Sequence, residues 1–171
     1  MKTYEFTLAF RLPRPDADPI AFLDALFEAG CDDAMPGVGR RGAIALVFNR
    51  EAVTAERAVR SAVDDVLRAI PGAELVEAKP DLVNLADVAD MVGCSRQNMR
   101  KYAAGEIRSL KEAFPEPVFT GSPSLWRLVE VLGWLDHHTD FHPSPEILET
   151  ARAAGDLNLT LQRRRFDGAA A

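Results

Sequence analysis

The stretch Leu85-Ala86-Asp87-Val88-Ala89-Asp90-Met91-Val92-Gly93-Cys94-Ser95-Arg96-Gln97-Asn98-Met99-Arg100-Lys101-Tyr102 divides into two short helices about a glycine. Two helices joined by a turn of three or four residues must meet at a steep angle. That corner needs a small residue where the helices touch, and Ala89 is placed for it. The turn needs a residue that tolerates positive φ, and Gly93 follows four positions later. Leu85, Val88, Val92, Cys94, Met99 and Tyr102 are spaced to fill the corner. Ser95 is positioned to cap the second helix. Arg96, Gln97, Arg100 and Lys101 remain outside, and these side-chain types reach phosphates and base edges.

The segment resembles a helix-turn-helix, and the residues that follow extend the resemblance. Phe114-Pro115-Glu116-Pro117-Val118-Phe119-Thr120-Gly121-Ser122-Pro123 is an extended stretch with proline and glycine at its ends, the pattern of a small hairpin or wing. A helix is expected over 124–135, with Leu125, Leu128, Val129, Leu132 and Leu135 as its core stripe. Ser95-Arg96 opens the second helix, Tyr102 lies near its end, Phe114-Pro115 leads into the wing, and Trp134-Leu135 closes the last helix. In these features residues 82–136 are similar to the MerR/excisionase class of winged helix-turn-helix. The resemblance implies double-stranded DNA as partner. It implies that Ser95, Arg96, Gln97, Arg100 and Lys101 face the DNA, and that Thr120 and Ser122 in the wing touch phosphate. The chain departs from that class in the inserted residues 106–113, which set the wing further from the second helix.

The first eighty residues carry a different signal. Tyr4, Phe6, Leu8 and Phe10 alternate with Glu5, Thr7, Ala9 and Arg11, the period of a strand. Pro13 and Pro15 end it. Asp18-Pro19 opens a helix with a cap and a proline at its first position, and Ile20, Leu23, Ala25, Leu26 and Phe27 form its stripe up to Gly30. A weak strand or loop covers 34–41, and 43–48 reads as a buried strand. Thr54-Ala55-Glu56 opens a second helix with Val59, Ala62, Val63, Val66, Leu67 and Ile70 on one side. Pro71-Gly72 ends it before a last strand at 73–78. The order β-α-β-β-α-β predicts an α+β, ferredoxin-like domain over 1–79. The winged helix-turn-helix domain is expected over 81–140, after a short polar join at Lys79-Pro80-Asp81, and a helical tail over 141–171. In that tail a helix should run from Ile147 to about Arg152, break at Gly155 and fray at its end. The sheet is expected to leave one face free to meet a second copy of the chain, with Tyr4 or Phe6 exposed according to register. A homodimer through 1–79, or a separate protein partner, follows as an expectation.

Charge is unevenly spread. The 171-residue chain has a formal net charge of -6, which opposes non-specific binding to nucleic acid. Residues 85–128, however, carry a net +1 against -3 over 1–80 and -3 over 129–171. Contact with phosphate depends on the local field rather than the global sum. No apolar run approaches the length that spans a bilayer, and the first residues lack an apolar signal core. The two cysteines, Cys31 and Cys94, are too few for a disulfide framework. A cytoplasmic protein with free thiols is expected.

Other constellations carry less. His137, His138 and His142 lie close together near Asp136 and Asp140, but the polar C-terminal end of a helix accounts for them as well as a metal does. Gly37-Val38-Gly39-Arg40-Arg41-Gly42 lacks the preceding strong strand and the following helix of a nucleotide fingerprint, and reads as a hairpin loop. Asp32-Asp33 and Asp64-Asp65 read as solvated surface. No nucleophile–base motif is present, so neither catalysis nor a cofactor or metal is expected. The sequence therefore favours a DNA-binding transcriptional regulator. An antitoxin-like interaction module with autoregulatory DNA binding is the alternative.

Overall fold

Alternation in β1 (Lys2–Arg11) points Tyr4, Phe6, Leu8 and Phe10 to one side, where each is at most 2% exposed. The computed structural model describes residues 1–170. β1 pairs antiparallel with β3 (Ala43–Ala52), so that Phe6 lies opposite Phe48, Leu8 opposite Leu46 and Phe10 opposite Ile44. The Phe6 and Phe48 rings stack with centroids 5.3 Å apart. β4 (Glu74–Lys79) pairs with the other side of β1, and β2 (Ala34–Gly37) with the outer side of β3. The result is a four-stranded antiparallel sheet of order β2-β3-β1-β4. β3 is longer than its apolar core suggests. It buries one face only, through Ile44, Leu46, Phe48 and Arg50.

Helices cover that face. Asp18 accepts from the Ile20 amide to start a 3-10 turn (Pro19–Phe22), which leads into α1 (Leu23–Glu28). Thr54 caps α2 (Ala55–Ala69), whose Ala58, Val59, Ala62 and Val66 are buried. The expected helix stripes are too broad. Ile20 and Phe27 are 57% and 68% exposed, because the first helix is short and turns only Leu26 fully inward; Leu67 is 40% exposed. Tyr4 and Phe6 are not free to meet a partner either, since the register turns both into this core. Arg50 occupies an inward strand position and is 7% exposed. Its guanidinium binds both carboxylate oxygens of Asp33 at 2.8 and 2.9 Å, Asp65 at 2.7 Å, Ser61 at 3.1 Å and the Gly30 carbonyl at 2.7 Å. Asp33 and Asp65 are thus not solvated surface but the counter-charges that permit a buried cation.

A second core begins at β5 (Leu82–Val83), which pairs with β6 (Trp126–Arg127). Between them lie α3 (Leu85–Val92) and α4 (Arg96–Ala103); after them come α5 (Leu128–His138) and α6 (Pro145–Ala170). The helix expected over 124–135 starts later, at Leu128, because pairing with β5 holds Trp126 and Arg127 extended. α6 does not break at Gly155 and its helix runs to Ala170. It joins both cores, placing Ala154 in the first and Ala151 in the second. Among the described residues, no helix is long and apolar enough to cross a membrane.

The join between the cores is buried. Asp81 is 2% exposed and accepts from Arg127 Nη1 at 2.7 Å on each carboxylate oxygen. Asn158 of α6 donates to Asp81 and to the Ala78 carbonyl, and accepts from the Ala78 amide, each at 2.8 Å. Its amide therefore satisfies the open edge of β4 as a neighbouring strand would. Gly155 allows a close approach here: a Cβ would stand 3.3 Å from Asp81 Oδ1, a tight contact that would press on the Asp81 carboxylate. A residue that reads as a helix breaker is instead the contact that lets α6 cross the joint.

Candidate nucleic-acid interface

Asn84 and Asp87 form a reciprocal capping box at the start of α3. Gly93 ends the helix in the left-handed conformation at φ 73°. A Cβ there would meet nothing within 4 Å, so the backbone angle alone calls for glycine. Ser95 Oγ accepts from the Asn98 amide at 3.0 Å and starts α4. Val88, Ala89 and Met99 are fully buried in the corner. Tyr102 packs edge-on to Trp134 with centroids 5.7 Å apart, which fixes the far end of α4 against α5.

With Met99 inward, α4 presents Arg96, Gln97, Arg100 and Lys101 to solvent, and all four are exposed. Arg96 with Arg100 and Gln97 with Lys101 are i, i+4 pairs that line two adjoining strips of the helix, together about 140° of its surface. Arg96 and Asp90 form an ion pair at 2.9 Å, both largely exposed. Hydrogen bonding to Asp90, then its charge, raises the Arg96 pKa. The sequence reading missed Asp90, six residues upstream across the turn. Among the described residues, Arg100 and Lys101 make no side-chain ion pair, so their charge faces outward uncompensated. The loop 106–113 adds two further exposed cations, Arg108 and Lys111.

The stretch 114–125 is anchored at its base. Phe114 sits between Trp126 and Trp134, with centroids 6.3 and 5.1 Å away. Trp126 Nε1 donates to the Pro115 carbonyl at 2.8 Å. Phe119 and Leu125 form a bridge, with the Leu125 amide donating to Phe119 at 2.9 Å. Ser124 Oγ closes the tip against Gly121, accepting from its amide at 3.3 Å. Thr120 and Ser122 are exposed at that tip. The structure thus places all seven sequence-selected residues on exposed positions, five around α4 and two on the hairpin.

No family model, curated protein or solved structure matches this chain. The three histidines have local contacts. His142 Nδ1 lies 2.8 Å from Asp136, His137 Nδ1 lies 2.6 Å from the Gly133 carbonyl, and His138 packs on Trp134. Burial, then the neighbouring Asp65 charge, pushes the Cys31 thiol up to about 11.

Proposed function

We propose that the chain is a sequence-specific regulator that reads double-stranded DNA through α3 and α4, with α4 entering the major groove. The observation that carries this reading is the outward face of α4. Two cations without ion-pair partners among the described residues, Arg100 and Lys101, stand beside Gln97 and Arg96 on a helix held by a buried Met99 and by Tyr102. A helix with those donors matches the acceptor pattern of guanine and adenine edges. The turn at Gly93, the capped helices and the hairpin through Thr120 and Ser122 support the assignment of residues 82–136 to a winged helix-turn-helix of MerR/excisionase type. The order β-α-β-β-α-β and the strand order β2-β3-β1-β4 support a ferredoxin-like first unit.

The net charge of -6 makes the general attraction to DNA weak, so binding rests on α4 and falls steeply with salt. Arg100→Ala is the direct test. It should weaken binding to a selected genomic site by about 1–3 kcal/mol while leaving the melting temperature unchanged. Equal affinity of variant and parent, measured by fluorescence anisotropy, refutes the assignment of this helix.

A further inference from the structure

The face of the four-stranded sheet away from α1 and α2 carries a pattern that fits itself. Register places its side chains in rows across the strands. One central row runs Met35, Val47, Thr7, Lys79; the next runs Gly37, Ala45, Ala9, Glu77. Along β1 the rows are flanked by Glu5 at one end and Arg11 at the other, both exposed. Among the described residues the helices of the first core pack on the Tyr4–Phe10 face; α3 and the start of α6 reach the other face only at its Glu5–Thr7–Lys79 corner, where Met91 and Glu146 line a cleft with these residues, and at the far edge Met35 is 72% exposed.

We propose that this face binds a second copy of the chain, about a two-fold axis that lies in the interface, perpendicular to the strands, between the Thr7 and Ala9 rows. A two-fold interface brings the same patch of both copies together. This axis lays each central row on the other row of the partner. Lys79 meets the partner's Glu77. Met35 lies over the partner's Gly37, and Val47 and Thr7 lie over the partner's Ala45 and Ala9, so larger side chains seat in the space left by smaller ones. Glu5 faces the partner's Arg11. Stacked sheets rotate by about 30°, which shifts the outer pairs sideways by a distance these long side chains can span. An axis along the strands, midway between β1 and β3, would instead set Lys79 on Met35 and leave both ion pairs unmade. Charge therefore selects one orientation.

In the single chain these charges are only loosely neutralised. Lys79 stands 3.6 Å from Glu77 and Arg11 3.4 Å from Glu74, all well exposed. Strand spacing and rise over strands of 10, 10, 4 and 6 residues make the face roughly 480 Å² in each copy, short of the usual stable interface, so the charge pairs carry the orientation and a share of the affinity. The inference rests on the sheet alone and stands whether or not α4 reads DNA.

Sedimentation and light scattering on the full chain test it. The parent chain should be a dimer. Lys79→Glu should weaken the dimer by about tenfold or more, since symmetry doubles each like-charge contact. Lys79→Glu combined with Glu77→Lys should restore it, and so should Arg11→Glu combined with Glu5→Arg relative to Arg11→Glu alone. Melting curves of each variant separate loss of dimer from loss of fold. Ala45→Arg, at the centre of the face, provides a second disruption independent of the charge pairs. A parent that is monomeric at high micromolar concentration overturns the proposal. So does a dimer indifferent to Lys79→Glu and Ala45→Arg, or a charge swap that stays monomeric.

Discussion

Arg50 in the sheet unit and Arg100 on α4 bring the same guanidinium to opposite ends. Arg50 directs its donors into the protein, onto Asp33, Asp65, Ser61 and the Gly30 carbonyl. Arg100 stands on an exposed helix face without an internal acid. The sheet unit thus holds Arg50 in a closed network, whereas the α3–α4 unit ties Arg96 to Asp90 and leaves Arg100 and Lys101 open. A saturated arginine can stabilise but has nothing left to offer a ligand. An unsatisfied one contributes little to the fold and is available to phosphate or a base. The two regions differ in what their polar groups are for, and mutation should separate stability from binding along that line.

The largest break comes from removing what the two regions share. α6 supplies Ala154, with Ala153 and Leu157, to the first core, and Ala151, with Ile147 and Leu148, to the second. Truncation after residue 140 exposes both and deletes Asn158 from the edge of β4. The truncated chain should lose its cooperative thermal transition in both regions at once. Sequence periodicity alone points the other way, to units 1–79 and 81–140 that fold separately. A truncated chain that melts at the parent temperature would show the two cores to be independent of α6.

Asp81→Ala is a smaller and more local disruption at the same joint. It leaves Arg127, whose side chain is 13% exposed, without its carboxylate, and takes one partner from Asn158. Removing one member of a buried pair costs about 3 kcal/mol or more. Urea unfolding should register that loss, whereas DNA affinity per folded molecule should stay within about twofold if α4 alone carries recognition. A large drop in affinity with unchanged stability would make the joint part of the reading surface and erase the contrast drawn above.

What was legible in the sequence was local. The alternation of Tyr4 to Phe10, the Asp18-Pro19 start, the Gly93 turn and the Ser95 cap each follow from neighbours a few residues apart, and the structure reproduces them. The exposed face of α4 was legible for the same reason, because helical periodicity separates Met99 from Arg100. What was hidden depends on distant partners. Arg50 at an inward strand position makes sense only with Asp33 and Asp65 in place. Asp81 reads as part of a polar linker until Arg127 and Asn158 arrive from 46 and 77 residues away. Gly155 reads as a break because nothing nearby reveals that Asp81 needs the space. Phe27 reads as core because a six-residue helix is too short to show which way its stripe will turn.

Ser95 sharpens the comparison most finely, because two roles meet in one hydroxyl. Its Oγ accepts from the Asn98 amide at 3.0 Å, a purely structural bond. It is also exposed at the start of the helix proposed to enter the groove, where backbone amides and the helix dipole favour a phosphate. Ser95→Ala removes the cap and should lower stability by about 1 kcal/mol, visible as a small fall in melting temperature. Ser95→Asn and Ser95→Asp both restore a capping acceptor, so both should recover most of that loss. They differ in charge. Asp places a carboxylate where the DNA backbone is expected, and its binding should fall well below that of the Asn variant, with the gap narrowing as salt rises. If the Asn and Asp variants bind DNA equally, Ser95 acts only as a cap, and the reading face of α4 begins at Arg96.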